Sequence, residues 1–181
     1  MTATQKPLKL GCSYGVRFSP DGTRLAVLGR DLVLWDVAAR TKLWRGKFIA
    51  HMSGMAFSPD GSRLAIKSTT GQMVVVDAQA GQLLLNFQNK KDGEGCGPVW
   101  SPCGQYLADG GWDGRLRLRA AQTGETLFTQ EHPGEMLRGV YAIDGGRVVL
   151  SLPCLMSCVP SPDGESLAVL HHAGGAQYLC V

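Results

Sequence analysis

The phrase Ser19-Pro20-Asp21-Gly22 returns as Ser58-Pro59-Asp60-Gly61, as Ser101-Pro102-Cys103-Gly104 and again as Ser161-Pro162-Asp163-Gly164. The first two steps are 39 and 43 residues long. A unit repeated at near-constant spacing constrains the architecture before any single side chain is interpreted. Each unit is too small to bury its own apolar face and must cover it with a neighbour. The 181 residues hold four to five such units in one domain, 1–181.

Aligned on that phrase, the units share one anatomy. Gly15-Val16-Arg17-Phe18 runs into the turn, and Arg24-Leu25-Ala26-Val27-Leu28 runs out of it. Pro20 presets φ for the turn, Asp21 bonds back to nearby backbone, and Gly22 accepts a positive φ, so the segment is a hairpin. A third strand follows at Leu32 to Val37 and a fourth at Lys42 to Phe48. The second unit repeats this at Gly54–Phe57, Arg63–Lys67, Gln72–Asp77 and Gln82–Phe87, with its turn glycine at Gly61. The third runs through Gly97–Trp100 and Gln105–Ala108, turns at Asp113-Gly114, and continues through Arg115–Arg119 and Glu125–Phe128. Four short strands per period of about 40–45 residues describe an all-β chain of four-stranded antiparallel blades, a β-propeller.

The periodicity weakens towards the end. Gly139–Gly145 keeps the strand-and-turn outline and Arg147–Leu152 reads as a strand. The turn at Ala142 is on period, but the phrase at Ser161, with Asp163 and Gly164, arrives only 19 residues later. Gln177–Val181 falls where a third strand belongs, and Pro7-Leu8-Lys9-Leu10 precedes the first blade where a fourth belongs. The N-terminal segment is therefore expected to complete the last blade and close the ring; the alternative is an incomplete ring that self-associates.

With the blades laid out, the chain resembles the WD-repeat family. Trp35-Asp36 ends the third strand of the first unit with the family's namesake dipeptide, Val76-Asp77 echoes it, and Leu118-Arg119 departs from it. Phe-Ser-Pro-Asp-Gly at Phe18–Gly22 and Phe57–Gly61, and the Asp113-Gly114 turn, are also similar to family usage. The resemblance implies a propeller that binds protein partners. The family's Gly-His pair is missing: Ala50-His51 and Glu131-His132 are the nearest equivalents, so its His–Asp–Trp polar network is incomplete in every unit.

Net charge of +3 is too small to argue for nucleic acid or an anionic membrane. The polar start from Met1 to Lys9 lacks a secretory pattern, and no apolar run approaches the roughly 20 residues of a membrane span. A cytoplasmic location is the expectation. The six cysteines are scattered, which fits small apolar fillers rather than a disulfide framework or a zinc site.

No nucleophile elbow or phosphate-binding glycine phrase is present, and Asp109–Gly114 reads as a hairpin turn. Asp21, Asp60 and Asp163 occupy one repeated turn position, so they are structural rather than paired catalytic carboxylates. Neighbouring His171 and His172 point to opposite faces of a strand and do not share a metal ion. No catalytic, cofactor or metal residue is therefore assigned. The candidate contact residues are Arg115, Arg117 and Arg119, which alternate with leucines and put three guanidinium groups on one strand face, and Trp112 on the adjoining turn. Such a row either clamps a carboxylate-rich partner or meets solvent.

The expected function is a non-enzymatic interaction module or scaffold with an unidentified protein partner. The alternatives are a ligand-binding or hydrolytic propeller, and a structural subunit that completes a propeller by oligomerising.

Overall fold

The repeated turn phrase closes through its serine. Ser19 Oγ donates to Asp21 Oδ1 at 2.5 Å and accepts from Arg24 N at 2.9 Å. Asp21 in turn accepts from Thr23 N and Thr23 Oγ1, while Gly22 sits at φ 71°. Ser58, Asp60, Ser62 and Arg63 reproduce every one of these bonds. In the third copy Ser101 Oγ still accepts from Tyr106 N at 3.0 Å, with Cys103 Sγ at 3.3 Å in place of the carboxylate. In the first copy, two of these bonds satisfy backbone N–H groups that the hairpin cannot pair, and the other two hold the serine and aspartate in place to accept them.

A computed structural model describes residues 13–88, 97–110, 113 and 115–131, and the strand segments 143–144, 147–148, 155–160, 167–173 and 176–180. The first sheet is β1 (Ser13–Phe18), β2 (Arg24–Gly29), β3 (Leu32–Asp36) and β4 (Thr41–Gly46), antiparallel in that order. The second is β5 (Met52–Phe57), β6 (Arg63–Ser68), β7 (Gln72–Asp77) and β8 (Leu83–Gln88). The third is β9 (Val99–Trp100), β10 (Tyr106–Gly110), β11 (Arg115–Ala120) and β12 (Thr126–Glu131). Beyond these, β13 (Ile143–Asp144) pairs with β14 (Arg147–Val148), and β15 (Leu155–Pro160), β16 (Leu167–Ala173) and β17 (Ala176–Cys180) form a three-stranded sheet. Every described element is a strand, and the blades are the four-stranded antiparallel sheets that the repeats imply. The last sheet places β17 third, as its spacing suggests. Asp163, Gly164 and the closing segment at residues 7–10 lie outside the described residues.

Successive blades are stacked face to face. β1 touches β5 and β5 touches β9, so the first strands line the inner side. The two faces of the middle blade are both buried. Leu64, Ile66, Val74 and Val76 pack against Ala26, Leu28, Leu32 and Leu34 of the first blade. Ala65, Met73 and Val75 pack the other way, against Trp100, Leu107 and Ala121 of the third. This is why β6 and β7 read as continuous apolar runs instead of alternating. Near the inner edge, a Cβ on Gly54 would lie 2.9 Å from Gly97 Cα, so glycine permits this approach of β5 to the third blade.

The outer seams are equally close. Trp44 Nε1 donates to Ala78 O at 3.0 Å, and a Cβ on Gly81 would lie 2.8 Å from the Trp44 ring. Gly81 and Gly124 take φ of 65° and 76° in the turns before β8 and β12, and Arg40 occupies the same position before β4 at φ 57°.

The register refines the namesake dipeptide. Val37, Ala78 and Ala121 are equivalents, each donating its N–H to the residue after its turn phrase, at Thr23, Ser62 and Gln105. Arg119-Ala120, not Leu118-Arg119, thus stands where Trp35-Asp36 and Val76-Asp77 do. Asp36 and Asp77 accept backbone N–H groups of the next turn, which Ala120 has no carboxylate to do. Trp35 is buried, and its Nε1 has no hydrogen-bond partner among the described residues.

Candidate interaction surface

The arginine row is formed as the alternation requires, but its face is the seam between the second and third blades. Arg117 and Arg119 are buried, each about 7% exposed. They occupy the positions that Val74 and Val76 hold one blade earlier, so they meet the preceding blade rather than solvent. Arg117 pairs with Asp113 through Nη2. Arg119 donates to Thr126 Oγ1 at 2.6 Å, lies with its guanidinium carbon 4.6 Å from the Phe87 ring centroid, and stands 3.7 Å from Asp109 Oδ1. Burial lowers the pKa of Arg119, and the Asp109 carboxylate opposes that shift. Arg115 is partly buried. Trp112 and Gly114 lie outside the described residues.

Asp109 and Gly110 belong to β10, not to the turn the sequence implies. The cause is register: Asp109 pairs with Arg117 across β10–β11 and points into the same seam. There its Oδ2 lies 3.1 Å from Lys67 Nζ, which also donates to Gly110 O. Sequence reasoning passed over both residues. Their signal was a charge inside an apolar run, at Leu64-Ala65-Ile66-Lys67 and Leu107-Ala108-Asp109.

Each outer strand turns an apolar residue outward at the same place. On each outer strand the register slips by one residue, so Leu43, Leu84 and Leu127 are the extra residues of three β-bulges. All three are leucine, and they are 48%, 47% and 49% exposed. A bulged residue has no partner across the ladder and is re-aimed by the local twist. Leu83 and Phe128 add exposed apolar surface on the second and third blades.

Polar groups gather instead at the turn phrases. A cleft of about 280 Å³ opens between the second and third blades, with Asp60, Arg63, Trp100, Cys103, Gln105 and Gln122 on its walls. Hydrogen bonds from Ser58 Oγ, Ser62 N and Ser62 Oγ hold Asp60 at a pKa of about 2, as Ser19 and Thr23 do for Asp21. The Cys103 thiol is also lowered, chiefly by its bond with Ser101. At the opposite end of the second blade, His51, Met52, Ser53 and Thr69 line a more open hollow. Among the described residues no helix is long and apolar enough to cross a membrane.

Comparison with known proteins agrees with this architecture. Residues 96–119 match the family model described as WD domain, G-beta repeat. A solved structure titled Kuenenia stuttgartiensis hydrazine synthase is similar to 94% of this chain, with a TM-score of 0.69 at 20% identity. This chain spans 58% of the length of that one. No curated protein matches it in sequence. At that identity the structural likeness carries the fold alone. The periodic blades and the shared fold make the chain a β-propeller, and residues 96–119 form a repeat similar to the WD domain, G-beta repeat.

Proposed function

We propose that the chain is a non-enzymatic interaction module that presents its blades to a protein partner. The observation that carries this reading is the periodic rim of Leu43, Leu84 and Leu127, each about half exposed at an equivalent position. Exposed apolar side chains scattered singly need no explanation, but the same residue exposed at the same bulge of consecutive blades is a patterned surface. The distribution of charge supports the reading as well. Lys67, Asp109, Arg117 and Arg119 are engaged inside the blade seam, which leaves them shielded from a substrate in solution. The structural neighbour's title names an enzyme, and its fold brings no activity to this chain.

Site-specific photocrosslinking in cells tests the proposal. A photoreactive residue at position 43, 84 or 127 is expected to yield a discrete protein adduct, and one at exposed Arg30 is not. Absence of a protein adduct from all three rim positions would overturn it.

A further inference from the structure

Two successive seams built from the same parts are fastened differently. In the first, Trp44 Nε1 caps Ala78 O at 3.0 Å, and Arg24 Nη2 caps Gly61 O at 2.9 Å. In the second, Leu85 stands at the position of Trp44, opposite Val75 as Trp44 is opposite Leu34, and has no side-chain N–H to give. The carbonyl of Ala121, the counterpart of Ala78, takes its hydrogen bond from Arg63 Nη1 at 2.9 Å. That bond draws Arg63 away from Gly104, the counterpart of Gly61. A Cβ on Gly61 would meet Arg24 Nη2 at 3.1 Å, whereas one on Gly104 would meet only Pro59 Cδ, at 3.8 Å. No described residue donates to the Gly104 carbonyl. One apolar substitution in an outer strand thus moves an arginine and leaves the second seam open as the cleft beside Asp60.

The first seam shows what such a space accommodates, because Arg24 lies near Asp21 while it caps Gly61 O. We propose that the second cleft takes a guanidinium or ammonium side chain from a partner protein, which caps Gly104 O beside Asp60. Asp60 is ionised at neutral pH, and its oxygens are held by its own turn, so its charge is fixed in place. Arg63 adds a positive charge to the wall, but one of its Nη groups is committed to Ala121 O. An anionic ligand would gain Arg63 only by lying against Asp60, and would leave the Gly104 carbonyl unpaired; a cation satisfies both. The side-chain amides of Gln105 and Gln122 lie on the same walls and can accept further N–H groups. The cleft is separate from the leucine rim, so either site can fail without the other.

The test is a titration of the full chain followed by ¹⁵N NMR, with N-acetylarginine amide as the probe to roughly 50 mM, a range suited to a single side chain. The expected result is saturable shifts of the Trp100 indole and of the Gln105 and Gln122 side-chain amides. N-acetylcitrulline amide, neutral and nearly the same shape, should give none, and neither should N-acetylglutamate amide. Leu85→Trp restores an indole donor for Ala121 O, frees Arg63 for Gly104 O and should weaken arginine binding at least tenfold. Asp60→Asn keeps hydrogen-bonding groups in the turn, should weaken it similarly, and carries the test alone if the tryptophan variant does not fold. Silence with arginine, equal shifts with citrulline, a response to glutamate or full binding by the folded variants would each overturn the proposal.

Discussion

The Lys67 ammonium lies 3.1 Å from the Asp109 carboxylate, across the seam between two blades, and both side chains are closed off from water. Arg119 approaches the other oxygen of the same carboxylate at 3.7 Å. Burying an ion costs several kcal/mol, and a well-placed partner offsets that cost only while it remains. The seam therefore depends on Asp109 more than on either cation. Asp109→Asn is expected to cost about 3–5 kcal/mol of unfolding free energy, because it leaves both cations facing a neutral amide. Lys67→Met should cost less, since Arg119 still faces the carboxylate. Urea unfolding of the two variants measures the difference, and equal losses would contradict it.

Arg40 adopts the left-handed conformation that glycine supplies in the two following blades, at φ 57°. Such a conformation costs a side-chain-bearing residue about 1–2 kcal/mol. Arg40→Gly should recover about 1 kcal/mol and raise the melting temperature by roughly 2–4 °C for a chain of this size. Gly81→Ala should do the reverse and cost about 2–4 kcal/mol, because its new methyl also meets the Trp44 ring. Gly22→Ala has the same backbone strain but nothing within 4 Å, and should cost about 1 kcal/mol.

Acid should loosen the first two turns and spare the third. Asp21 and Asp60 are both held at a pKa of about 2, first by a serine hydroxyl and then by backbone and side-chain donors. A carboxylate depressed in the folded state stabilises it fully above its unfolded pKa, near 4, and loses that contribution as pH falls through about 2. Asn at both positions should flatten the stability profile between pH 4 and 2. Cys103 replaces the carboxylate in the third turn and contributes no such limb. Circular dichroism melts across that range are the measurement.

Trp44→Phe should cost about 1–3 kcal/mol, the penalty of leaving the buried Ala78 carbonyl without its donor. Differential scanning calorimetry of wild type and variant measures it. A loss no larger than that of Leu43→Ala on the exposed rim would show that ring packing, not the hydrogen bond, fastens this seam.

The blades were legible because their signals are local: Ser-Pro-Asp-Gly closes its own loop, and period-two apolar runs mark strands on each side. Arg115, Arg117 and Arg119 were legible as a row for the same reason. Which way the row faces was not, since that depends on what packs against β11, and the covering blade lies about 40 residues upstream. Lys67 and Asp109 were hidden likewise: each is a lone charge until the seam joins them. The cleft follows from a difference between two equivalent positions, Trp44 and Leu85, and is visible only once the register fixes that equivalence.

The bulges at Leu43, Leu84 and Leu127 have a consequence beyond the surface they create. A fibril grows by copying a straight edge, one backbone hydrogen bond per step, and β8 (Leu-Leu-Leu-Asn-Phe-Gln) is the kind of uncharged segment that invites it. Its extra residue breaks the copying frame near one end, so an incoming strand meets a template that is out of step with itself. The leucine that marks the rim thus also makes this edge a poorer template for a second strand.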